Sequence, residues 1–308
     1  VADPTLADLD GDDVPEVFAA TTEDVVVGYD TLTGAVEFRQ DLTDYGYARP
    51  VVTDLAGDGA AELVVVDVSG TVATFAADGT RRWERRLGAH TLGQPQVADF
   101  DGDGAPEIAV GTSDAGDLVL LEADGTTAWN RTGVAGGSIT WLATADADGG
   151  PDIVVATSGG VVAVVEGRDG TVRWRRDLGT LAAVHAVGDG DGDGTVEVYA
   201  VAADAVLRSF DVRDGTVEWT TTLTDAAVQM TPPPALGDLD GDGDPELVAA
   251  TNDGTVSVIE PATGTVLATY HRDVVVWSHP ELADVDGDAA AEIFVMYGDG
   301  RVVSLDEG

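Results

Sequence analysis

Nearly half of the 57 acidic side chains fall in seven short loops of one design, Asp-x-Asp-Gly-Asp-Gly-x-x-Glu. Five loops carry carboxylates at positions 1, 3, 5 and 9. They are Asp8, Asp10, Asp12, Glu16; Asp99, Asp101, Asp103, Glu107; Asp189, Asp191, Asp193, Glu197; Asp238, Asp240, Asp242, Glu246; and Asp284, Asp286, Asp288, Glu292. Two are depleted. The second has Ala56 at position 3 and keeps Asp54, Asp58 and Glu62. The fourth is two residues shorter and keeps Asp146, Asp148 and Asp152. Calcium takes six to eight hard oxygens in a flexible cage. Alternate residues of a tight loop point inward, Gly allows the turn, and a backbone carbonyl or water completes the shell. Four carboxylates this close repel one another unless a cation or protons intervene. The EF-hand also uses positions 1, 3 and 5, but its Glu stands at 12 between helices. These loops are therefore a different calcium design, expected to hold five to seven ions, with the Asp54 loop weakened and the Asp146 loop incomplete. The competing reading is a set of acidic turns on a salt-adapted surface; seven copies in one register weigh against it.

The loops recur every 43–49 residues. Between them run short β-branched segments bounded by Gly and Asp, such as Glu62-Leu-Val-Val-Val66 and Asp152-Ile-Val-Val-Ala156. Such runs are strands, and no window holds a helical period. Each unit reads as four antiparallel strands, A to D, with the acidic loop between A and B. A four-stranded repeat of this length is a propeller blade. The expected fold is all-β, a seven-bladed β-propeller forming one domain over 1–308. Its blades are 1–46, 47–91, 92–138, 139–181, 182–230, 231–276 and 277–308. The last blade stops at its C–D turn. The outer strand is expected from residues upstream of Val1, and the chain is expected to be a piece of a longer polypeptide or of a surface assembly.

The loops resemble those of FG-GAP or VCBS repeats, the calcium-binding blades of integrin-α-like propellers. The resemblance spans the whole chain. The second half of each blade is similar to something else. Asp78-Gly-Thr-Arg-Arg-Trp83, Asp124-Gly-Thr-Thr-Ala-Trp129, Asp169-Gly-Thr-Val-Arg-Trp174 and Asp214-Gly-Thr-Val-Glu-Trp219 share one spacing, with Phe38 and Ala268 in the same slot. This resembles the tryptophan-docking repeat of PQQ-like quinoprotein propellers. The resemblance implies that these Trp side chains are wedges between blades, which is also the ordinary reading of a large aromatic between packed sheets.

The FG-GAP resemblance puts the acidic loops on one face and partner binding on the other. The D–A connections expected on that second face hold Tyr45, Tyr47, His90, Trp141, His185, Met230, Trp277 and His279. As a set they are the candidate recognition surface; singly, each could merely pack between strand A and the next blade. The Arg runs at 81–86 and 173–176 fall on outer strands, where charge discourages edge-to-edge pairing. Asn130-Arg-Thr132 is a glycosylation sequon, a weak signal by itself.

The formal net charge is −42, with fifteen basic residues, all Arg, and no Cys. Such a surface repels phosphate backbones, so nucleic acid is excluded as a partner. Cys-based catalysis and disulfides are excluded, and no run is long and apolar enough for a membrane helix. The acidity and the absence of Lys resemble a haloarchaeal protein in a high-salt environment. Calcium loops point to an extracellular or cell-surface location. The expected function is a calcium-stabilised module for adhesion or assembly that binds a protein or surface glycan, and not an enzyme. The alternatives are a polysaccharide lyase or glycosidase and, with seven blades and no vicinal Cys pair against it, a PQQ-dependent dehydrogenase-like protein.

Overall fold

The computed structural model describes residues 3–114 and 116–306. Among the described residues, 27 strands form seven antiparallel sheets and there is no helix. Six sheets have four strands in sequential order; the last has three. Each sheet is one blade, and the fold is a seven-bladed β-propeller. The chain divides into two compact units, Val1–Leu142 with Glu166–Thr171, and Ala143–Val165 with Val172–Gly308.

In the first unit, blade 1 sets the pattern. Its strands are Thr5–Ala7, Glu16–Ala20, Val25–Asp30 and Val36–Asp41. The acidic loop fills the gap between Ala7 and Glu16, which pair directly across the ladder. Glu16 is therefore both the last loop position and the first residue of strand B. Strands B and C are apolar on both faces because each face meets a neighbouring sheet. Phe18, Val26 and Phe38 of blade 1 pack with Leu63, Val65 and Phe75 of blade 2. On its other face, blade 2 packs Val64, Val66 and Val72 against Ile108, Val110 and Val119 of blade 3.

The second unit repeats this plan; blade 6 packs Val248, Val256 and Val258 against Ile293, Val295 and Tyr297 of blade 7. Blade 4 differs in its loop. Strand A runs on to Asp146 and strand B starts at Pro151, so only four residues join them.

Every four-stranded blade has the same irregularity, a β-bulge in the C–D ladder. Gly28 pairs with Phe38 but Tyr29 with Val36, so Glu37 is the extra residue. The ladder skips the residue before the Trp slot in each of the other five as well.

The four indoles occupy the wedge position that the sequence implied. The Nε1–H of Trp83, Trp129, Trp174 and Trp219 donates to the carbonyls of Ala123, Gly167, Val212 and Pro261, each in the C–D turn of the following blade. The ring then lies on the glycine of that turn. A Cβ on Gly215 would come within 2.5 Å of Trp174, and one on Gly264 within 2.4 Å of Trp219. The Gly in Asp-Gly-Thr thus serves two needs, a positive φ and a flat seat for the preceding indole. Blade 6 has Ala268 in the slot, and a cavity of about 210 Å³ opens there, lined by Leu239, Val258, Ala268, Ile293 and Leu305 among others.

Candidate metal centres

The acidic loop builds itself by hydrogen bonds from its own backbone. In the first unit, Asp8 accepts Gly11 N–H at Oδ1 and Asp13 N–H at Oδ2. Asp99 does the same with Gly102 and Gly104. In the second unit Asp189, Asp238 and Asp284 repeat both contacts. The residue five places after the first Asp sits in the left-handed region. It is Gly in most loops but Asp13 (φ 69°) in blade 1 and Ala289 (φ 78°) in blade 7. Asp tolerates this conformation better than Ala. Ala289→Gly is therefore expected to stabilise the protein by about 1 kcal/mol, read as a rise in melting temperature.

The Glu at position 9 is the decisive group. Glu16, Glu107 and Glu197 are buried. One oxygen of each accepts a backbone N–H from the second loop residue, Leu9 at 3.0 Å, Phe100 at 2.7 Å and Gly190 at 3.0 Å. The other oxygen, Oε1 in all three, is buried without a hydrogen-bond partner. A buried carboxylate oxygen left unsatisfied is costly. Burial, opposed by the backbone bond and reinforced by neighbouring Asp charges, pushes Glu107 and Glu197 up to about 7. Glu16 and Glu246 are raised for the same first reason. In blade 7, the charge of Asp288 is the main cause that raises Asp286.

Among the described residues, five sets of carboxylates have ligand atoms within 4.8 Å of one another. Asp8, Asp10, Asp12 and Glu16 converge fully, as do Asp99, Asp101, Asp103 and Glu107. In blade 5 Asp189, Asp191 and Glu197 converge; Asp193 accepts from Thr195 N–H, as Asp12 does from Val14 N–H, but lies outside the set. In blade 6 Asp238, Asp240 and Glu246 converge, while Asp242 accepts from Asp244 N–H. In blade 7 Asp284, Asp286 and Asp288 converge, and Glu292 Oε2 accepts from Val285 N–H. The donor set is all hard oxygen, which fits calcium.

The two depleted loops are not among these sets. In blade 2, Asp54 binds the N–H groups of Asp58 and Gly59, and Glu62 Oε1 lies 3.9 Å from the Arg82 guanidinium. In blade 4 the carboxylates of Asp148 and Asp152 both meet Arg173. Of the expected ion ligands, Asp148 and Asp152 thus face a side-chain cation, while Asp146 accepts from the N–H groups of Asp148, Gly149 and Gly150.

The recognition residues separate by exposure. Tyr45, Tyr47 and His90 in the first unit and Trp277 in the second are exposed. Trp141, His185 and Met230 are half-buried. His279 corrects the expectation: it is buried, with its ring 4.9 Å from His185 and its Nε2 2.9 Å from Glu281 Oε1. It packs between strands and does not present a surface. The Arg runs also resolve. Arg176 lies over Trp174 and Arg131 over Trp129, and Arg81 pairs with Glu84.

The family described as outer membrane protein assembly factor BamB matches residues 114–307, well over half of the chain. The chain belongs to this family. The FG-GAP-like repeat matches residues 54–110. So the BamB-type match lies over later blades and the FG-GAP match over earlier ones. A comparison with curated proteins finds no match. Among solved structures, BamB from Moraxella catarrhalis is similar with a TM-score of 0.69 at 15% identity, over 98% of this chain and 84% of that one. BBS1N in complex with ARL6DN gives 0.68 at 14%, over 97% and 89%. The C-terminal WD40 domain of Sif2 gives 0.67 at 15%, over 95% and 82%. At such identities the likeness is one of fold. Among the described residues, no helix of this BamB-family chain is long and apolar enough to cross a membrane.

Proposed function

We propose that this BamB-family propeller is a calcium-stabilised module that binds a protein partner in an assembly outside the cytoplasm. The observation that carries the calcium half is the buried, unsatisfied Oε1 repeated at Glu16, Glu107 and Glu197. A divalent ion bound there would satisfy that oxygen and neutralise the convergent Asp side chains beside it. The binding half is supported by kinship. The family's description names an assembly factor, and one structurally similar propeller is in complex with ARL6DN. It is also supported by the exposed aromatics Tyr45, Tyr47 and Trp277 on D–A connections.

Sites of this kind fill at the calcium levels found outside cells, which is why the module is placed there. The remaining acidic surface suits a salty medium, where self-repulsion is screened. The polar clusters are repeats of one loop, as structural sites are, and this favours a binding module over an enzyme. The test is photo-crosslinking from Tyr47 and Trp277 in the native envelope. Capture of a defined protein supports the reading. Glycan cleavage by the purified chain, with no protein captured, would contradict it.

A further inference from the structure

One position couples the outer strand to the acidic loop. It is the bulged residue of strand D, occupied by Glu37, Arg82, Ala128, Arg173, Glu218 and Leu267 in blades 1 to 6. A bulge takes its residue out of the ladder and re-aims the side chain. In blade 4 it aims Arg173 into the acidic loop. Nη2 lies 2.9 Å from Asp148 Oδ2 and Nε 3.0 Å from Asp152 Oδ2. The Arg173 side chain is 18% exposed and that of Asp152 4%, so this is a largely buried pair and not a solvated edge charge. Asp146 is held by the N–H groups of Asp148, Gly149 and Gly150. All three acids of this loop therefore have partners supplied by the chain.

Blade 2 shows a looser version, with Arg82 3.9 Å from buried Glu62. Arg occupies the bulge in the two blades with depleted loops. The complete loops of blades 1, 3, 5 and 6 face Glu, Ala, Glu or Leu.

We infer that Arg173 is a built-in cation standing in blade 4 where other blades take a divalent ion, and that the bulged residue of strand D decides which loops take a metal. This rests on the proposal that the complete loops bind calcium. The guanidinium suits the role because it is always charged and its rigid fork engages two carboxylates at once. Where the bulge carries Glu, a carboxylate replaces the guanidinium at that position, outside the convergent set of the loop. Glu218 is held by Ser209 Oγ at 2.6 Å. Burial first, then the charges of Asp191 and others, raise its pKa.

The experiment is a reciprocal swap with ions counted by native mass spectrometry in calcium-containing volatile buffer. Arg173→Glu is expected to bind one calcium more than wild type, and Glu218→Arg one fewer. In the metal-free state Arg173→Glu should also melt about 5–10 °C below wild type, because carboxylates are left facing one another. Glu218→Arg keeps the inference testable if Arg173→Glu does not fold. Wild type binding ions while either folded variant keeps the wild-type count would overturn the inference alone. Wild type binding no ions would overturn the calcium reading and the inference together.

Discussion

Metal-free protein is expected to melt tens of degrees below the calcium-loaded form at the same ionic strength. The magnitude follows from linkage. One site at a hundredfold excess of free ion over Kd adds about 2.7 kcal/mol. Five convergent sets would together add about 13 kcal/mol, comparable with the roughly 5–15 kcal/mol that is the whole stability of an ordinary domain. The effect has a defined pH dependence. Glu107 and Glu197 are pushed up to about 7 from 4.5 in the metal-free fold. Their folded pKa lies above the unfolded one, so protonation stabilises the metal-free fold fully below about 4.5. That contribution is lost as pH rises through about 7. Calcium requires both groups ionised and so releases protons on binding near neutrality. The gap between loaded and metal-free melting temperatures is therefore wide at pH 8 and narrower at pH 5.5. Calorimetry on metal-stripped protein, without chelator, reads this directly. Equal melting temperatures with and without calcium at pH 8 would refute structural calcium.

Trp174→Ala costs about 3–5 kcal/mol. The indole is buried, stacks on Phe210 at 5.7 Å and donates to Val212 O at 2.7 Å. Its loss leaves a void between blades and an unpaired carbonyl. Gly215→Ala is expected to cost about 2–4 kcal/mol, from the positive φ of 68° and the clash with the same ring. The two changes are coupled. In the Trp174→Ala background only the backbone strain of Gly215→Ala remains, so the double variant is less destabilised than the sum. Denaturant melts of the four proteins measure this. Strict additivity would mean that the ring does not rest on Gly215.

The fold was legible because each blade repeats a local rule. A loop of alternating acids must end in a turn, β-branched runs must be strands, and a seven-fold register leaves little choice of architecture. The wedge role of Trp83, Trp129, Trp174 and Trp219 was implied by the resemblance of their shared spacing to the tryptophan-docking repeat, and their indole hydrogen bonds fit it. What could not be read depends on contacts across the sheet. Arg173 lies 21 residues from Asp152, and only the bulge in its strand directs it back to the loop. The Arg run reads as edge charge until the ladder shows which residue is skipped. Likewise Asp193 and Asp242 match the loop pattern, yet neither joins the convergent set of its loop. His279 was expected at the recognition surface because it falls in a D–A connection, and its burial against His185 is a tertiary fact.

The central claim is that most of these loops are metal sites and that blade 4 is not. Counting calcium ions on the intact wild-type chain by native mass spectrometry tests it most directly. Five bound ions are expected, in blades 1, 3, 5, 6 and 7. A chain that binds none would contradict it, and so would one that binds seven, with Arg173 displaced from Asp148 and Asp152.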